Sequence, residues 1–166
     1  MPANTLGLGV NWPMVRVGAY QVYVSHEGGY LLLQYAGPTE TGHKFNAWFN
    51  FLPIGEPMEQ VYTDHLGQIV RYVHVDGSET RYVPHDCSRT IGTCSYTVSL
   101  GYGQGSYSAT LNTRPRAGGY QFTQTGGGQP GTVRGTVTLL ENGLPETIRL
   151  SSGFAAGFYR MTIRAR

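Results

Sequence analysis

The stretch GTVTLLENGLPETIRL, residues 135–150, decides how the chain is read. Asn142-Gly143 is the pair preferred for a two-residue type I′ turn, because both central positions need positive φ. With Glu141 facing Leu144, Val137 falls opposite Ile148 and Gly135 opposite Leu150. The same register sets Thr136 against Arg149 and Thr138 against Thr147. Apolar then meets apolar on one face and polar meets polar on the other, which a slip of one residue would scramble. Pro145 cannot donate to a ladder, so an edge or non-bonded position is expected for it.

The alternation spreads outward from this hairpin. Tyr96, Val98, Leu100 and Tyr102 alternate with Ser95, Thr97, Ser99 and Gly101. Tyr107, Ala109 and Leu111 alternate with serines and threonines, and Tyr159, Met161, Ile163 and Ala165 with Arg160, Thr162, Arg164 and Arg166. Period two means one buried and one wet face, as in antiparallel sheets. Residues 19–24 and 30–35 are apolar on both faces and read as central strands covered on either side. Asp64-His65-Leu66-Gly67 and Asp76-Gly77 bound a three-stranded meander with residues 69–75 in its middle.

Composition agrees. Twelve Tyr and 24 Gly in 166 residues, with 13% charged residues, suit strands and turns rather than helices. The expectation is an all-β, single-domain antiparallel β-sandwich or partly open flattened barrel spanning 1–166. It has about ten to twelve short strands and little or no helix. A membrane barrel is the architectural alternative, disfavoured by the Ser, Thr and Arg of the polar face and by short strands.

The formal charge of +2 is too small to point to nucleic acid. It is unevenly spread: seven arginines follow residue 113 against only Glu141 and Glu146. Solvated arginines on outward strand positions are the plain reading, and an acidic partner the functional one. No apolar run reaches the length of a transmembrane helix. Cys87 and Cys94 flank a turn-forming hexapeptide, and a small-loop disulfide between them is the leading reading. That would place the protein in an oxidising space, exported to the periplasm or exterior, with its leader absent from this chain.

Site candidates are few. A two-residue turn at Asp76-Gly77 would bring His74 opposite Glu79 and Tyr72 opposite Arg81 on one face. Trp48 shares its face with Asn46 and Asn50, which leaves it either packed under a loop or, as the functional reading, a contact residue. Trp48, Tyr72, His74 and Arg81 are the candidate binding residues. No catalytic set, metal site or cofactor is expected, because zinc motifs use two close ligand pairs and only Cys87 and Cys94 repeat. There is no Gly-x-Ser-x-Gly elbow, and no helix follows Gly101–Ser106 to make it a phosphate loop.

The leading functional expectation is a non-catalytic binding or assembly module of the bacterial envelope or exterior. Its partner would be an unknown protein or small molecule. A carrier of a lipid-like ligand comes second, and a hydrolase third.

Overall fold

The computed structural model describes residues 10–25, 29–49, 57–84, 92–101, 103, 105–126, 131–150 and 157–164, the last stretch by its backbone alone. A 3-10 turn at Trp12–Met14 precedes twelve strands. They are β1 (Tyr20–Ser25), β2 (Tyr30–Thr39), β3 (Gly42–Phe49), β4 (Glu59–Thr63), β5 (Ile69–Val73) and β6 (Glu79–Pro84). Then come β7 (Gly92–Ser99), β8 (Ser106–Arg116), β9 (Gly119–Gly126), β10 (Thr132–Leu139), β11 (Pro145–Leu150) and β12 (Gly157–Arg164).

Every strand pairs antiparallel with its neighbours in sequence, and β1 also pairs with β12, so the sheet returns on itself as a barrel. The all-β antiparallel expectation stands. The ladders follow one another in a single ring, and its β1–β12 seam shifts register between Val22 and Tyr23.

Period two explains the cross-section. Inward positions such as Tyr23, Leu33, Phe45, Val61, Tyr96 and Val137 are buried in one continuous core. That core draws on each of β1 to β11. Outward positions carry Lys44, Gln60, Arg71, Ser95, Thr97, Asn112, Gln121, Thr123 and Arg134, none of them buried. On β1 to β3 the outward row is apolar instead, with Val22 beside Leu32 and Leu32 beside Trp48. Val137 and Ile148 are 1% and 9% exposed, so the hairpin that decides the reading points inward as its pattern requires.

That hairpin has the expected ladder but a different turn. Gly135 pairs with Leu150, Thr136 with Arg149, Val137 with Ile148 and Thr138 with Thr147. The Leu140 amide, however, bonds to the Leu144 carbonyl, and Gly143 N–H to the Leu140 carbonyl. Three residues, Glu141 to Gly143, therefore form the loop, and Glu141 does not face Leu144. Only such a loop needs positive φ at its last position alone, where Gly143 has φ +87°. A bulge between Thr138 and Leu139 then restores the expected register. Pro145 lies beside this irregularity and is fully buried.

The same three-residue loop recurs at 64–68 and 74–78, with Gly67 and Gly77 in the place of Gly143. Its second occurrence moves the β5–β6 register by one residue. Tyr72 pairs with Thr80 and Val73 with Glu79, while His74 N–H bonds to the Ser78 carbonyl. The expected pairings of His74 with Glu79 and of Tyr72 with Arg81 are thereby corrected.

Gly135 faces inward beneath the ring of its cross-strand partner Phe122. A Cβ there would sit 2.5 Å from Phe122 Cζ and 2.8 Å from the Arg149 carbonyl oxygen. Gly135→Ala should destabilise the fold by about 1–3 kcal/mol through overpacking. Adding Phe122→Leu to Gly135→Ala should recover part of that loss, because the ring contact is removed and the backbone contact stays. Urea midpoints of the three variants test this, and a wild-type midpoint for Gly135→Ala contradicts it.

Candidate functional site

The meander topology sorts the loops between two mouths. The 3-10 turn, the 40–41 and 64–68 turns and the 140–144 loop lie at one mouth. The 74–78 turn lies at the other.

At the first mouth the N-terminal segment is laced to the barrel by its backbone. Asn11 N–H bonds to the Asn142 carbonyl, Gly18 N–H to the Tyr35 carbonyl, and Tyr35 N–H to the Ala19 carbonyl. Pro13 suits the start of the short helical turn that lifts Trp12 over the rim. The Trp12 indole stacks on His43 with ring centres 3.4 Å apart and planes 10° apart, and its N–H donates to the His65 carbonyl. His43 Nδ1 is 2.7 Å from the Tyr35 hydroxyl.

Burial holds the His43 imidazole below its ordinary pKa, and His65 nearby lowers it further against the opposing pull of Asp64. Burial raises the Tyr35 hydroxyl. Both groups are thus kept neutral, and one proton bridges them.

Behind this turn opens a cleft of 560 Å³, walled by Leu33, Tyr35, Phe45 and Leu144. Gln21, Asn142 and Arg16 add polar groups to its lining. Gln21 already accepts from the Tyr23 hydroxyl, and the Asn142 side chain from Leu144 N–H, so both are held in place.

At the second mouth the corrected register gathers a polar group on the inward face. His74 Nδ1 is 3.1 Å from Glu59 Oε1, and His74 Nε2 is 2.8 Å from Thr80 Oγ1. The carboxylate only accepts, so Nδ1 carries a proton, and in the neutral imidazole Nε2 accepts the Thr80 O–H. Tyr72 lies parallel to His74 and edge-on to Tyr82. The Tyr72 hydroxyl is buried without a hydrogen-bond partner. Burial, with Tyr82 and Glu59 beside it, pushes its pKa well up. Tyr82 is pushed up to about 12 by burial and Glu59.

The four residues singled out in sequence are not together. Tyr72 and His74 point inward, while Arg81 points outward. There its guanidinium grips Glu79 through Nε at 2.9 Å and Nη2 at 2.6 Å. Glu79 also draws in Arg71, which lies over the Tyr62 ring at 4.1 Å. Trp48 pairs with Leu32 on the outer side of β3 and is buried, its indole N–H without a partner.

Sequence reasoning missed Glu59 and Thr80, because the two-residue turn set His74 against the wrong neighbour. It also missed the Trp12–His43 stack, which joins residues 31 positions apart and has no local pattern. Cys94 is buried on β7, whereas Cys87 lies outside the described residues, so their pairing is not described. Among the described residues no group of three metal-ligating side chains forms. No family model, curated protein or solved structure matches the chain.

His43 yields a pH prediction. Its folded pKa lies below its ordinary 6.5, so the unfolded chain binds more protons below that pH. The stability contributed by neutral His43 is fully present above pH 6.5 and is lost as pH falls through the lowered folded value. His43→Gln should flatten the acid limb of the stability curve, read as urea midpoints on either side of pH 6.5. Parallel limbs in variant and wild type would sink the assignment.

Proposed function

We propose that the protein is a non-catalytic binding module that takes a small, partly apolar ligand into the cleft beside the Trp12 turn. The carrying observation is the cleft itself. Its 560 Å³ falls within the size range of small-molecule sites, and its accessible lining mixes polar with apolar surface, the polar part being the larger. Met14, Ala19 and Tyr20, the more exposed apolar residues of the lining, supply apolar contact, while Gln21 and Asn142 fix orientation. Arg16, at the rim, favours a ligand with an acidic end.

Native mass spectrometry of protein purified from its source, followed by organic extraction, should release one small compound. Ala19→Trp, at the half-exposed edge of the cleft, should abolish its retention while leaving the thermal midpoint within a few degrees. Empty wild-type protein, or equal retention by the filled variant, argues against the reading.

The proposed setting is the cell envelope or exterior, with a Cys87–Cys94 disulfide. A small closed loop of this kind contributes roughly 2–3 kcal/mol. Alkylation of the unfolded, unreduced protein should label neither cysteine. Two labelled thiols would remove the support for an oxidising compartment.

A hydrolase reading is favoured by one observation, the hydrogen-bonded order Thr80–His74–Glu59, which places a hydroxyl, a base and an orienting carboxylate in line. On that reading Thr80→Val abolishes ester hydrolysis without unfolding the protein. On the binding reading neither form turns over ester.

A further inference from the structure

The arginines that crowd the C-terminal half of the sequence are gathered by the ladders onto one outer face. Arg114 pairs with Gln121, Gln121 with Thr136 and Thr136 with Arg149, a row across β8, β9, β10 and β11. The next row on the same side runs Asn112, Thr123, Arg134. Between the rows lies a shallow groove of 370 Å³, lined by Asn112, Arg114, Gln121, Thr123, Arg134 and Thr136 over the backbone of Gly135.

Adjacent strands lie about 4.8 Å apart and successive outward residues about 7 Å apart, so Arg114 and Arg134 stand on the order of 10 Å from each other. Both are exposed, and no carboxylate lines the groove.

We propose that this groove binds an acidic polysaccharide, with its anionic groups at Arg114 and Arg134 and its hydroxyls on the amide and hydroxyl side chains between them. Arginine presents a planar fork that matches carboxylate or sulfate. Asn112, Gln121, Thr123 and Thr136 both donate and accept, as sugar hydroxyls require. Nucleic acid fits less well. The outward positions 106–138 of β8 to β10 hold serine, threonine, asparagine, glutamine and arginine and no aromatic ring on which bases could stack. Binding a duplex through phosphates alone draws on more cations than the four outward arginines here, Arg114, Arg116, Arg134 and Arg149. The groove lies on the outer wall, apart from the cleft at the mouth, so it is a second site.

The test uses calorimetric titration of the whole protein with polygalacturonate, dextran sulfate, uncharged dextran and double-stranded DNA. Binding of one or both acidic polysaccharides is expected, weakening as salt rises, and the better of the two names the anion. Arg114→Gln and Arg134→Gln should each cost roughly tenfold in affinity, with thermal midpoints measured alongside to show that both variants are folded. Lys44→Gln removes one charge from the outer side of β3 and should change nothing. The proposal is overturned by no binding of either acidic chain, by DNA binding more tightly at equal salt, or by Lys44→Gln weakening binding as much as the arginine variants.

Discussion

A ring of twelve strands is wider than one of eight, whose interior ordinary side chains just fill. Filling this one with protein requires large side chains, and the chain uses aromatic ones. Tyr23, Tyr35, Tyr72, Tyr82, Tyr96 and Tyr120 are all buried, with Phe45 and Phe122 among them. Each tyrosine brings a hydroxyl into the core, where an unbonded polar group costs roughly 1–3 kcal/mol. The need to bond those hydroxyls shapes much of the remaining interior. Tyr23 reaches both Gln21 and the Pro145 carbonyl, Tyr96 reaches Gln68, and Tyr35 shares a proton with His43. Gln21, His43 and Gln68 are buried polar residues because a ring next to them carries an oxygen.

This constraint also locates the candidate sites. An aromatic side chain is long, so its polar tip reaches towards a barrel end while its body stays in the core. At the Trp12 mouth the tips find partners, and what they leave is a cleft of mixed polar and apolar lining with immobilised amides. At the other mouth the match is incomplete. The Tyr72 hydroxyl is buried beside Tyr82 and near the negative charge of Glu59, with no acceptor of its own. Among the described residues it is the one buried tyrosine oxygen without a bond, and it lies against a histidine bonded at both ring nitrogens. Strand geometry alone does not require either arrangement.

The all-β class and the inner and outer sides of the strands were legible because period two is a property of consecutive residues. Residues 135–138 could even be matched to 147–150 by eye. The turns were less legible. An Asn-Gly or Asp-Gly pair serves a two-residue loop and also the last two positions of a three-residue one, and here it does the second at Gly77 and Gly143. At 139–145 a bulge absorbed the difference, so the expected ladder survived. At 74–78 nothing absorbed it, and attraction between His74 and Glu79 argued for the wrong register. What decided the outcome was burial of Tyr72 against Tyr82, which set Thr80 inward and Glu79 outward. The Trp12 stack was beyond reach of any local pattern, since it depends on a segment folding over a rim built from three other turns.

Inward and outward residues of a strand answer to different demands, and that separation bears on where recognition can arise. The inward row must fill volume and bond its own oxygens, so a change there disturbs several neighbours at once, as the 2.5 Å approach at Gly135 illustrates. The outward row on β8 to β10 lies outside that packing, and its ladder partners fix which side chains stand side by side. Arg114, Gln121, Thr136 and Arg149 form a row whatever their chemistry, since the backbone register sets it. Such a row can acquire charge without cost to the core. Those four consecutive outward positions hold two arginines and no acid, at places where the packing of the barrel leaves the residue type open.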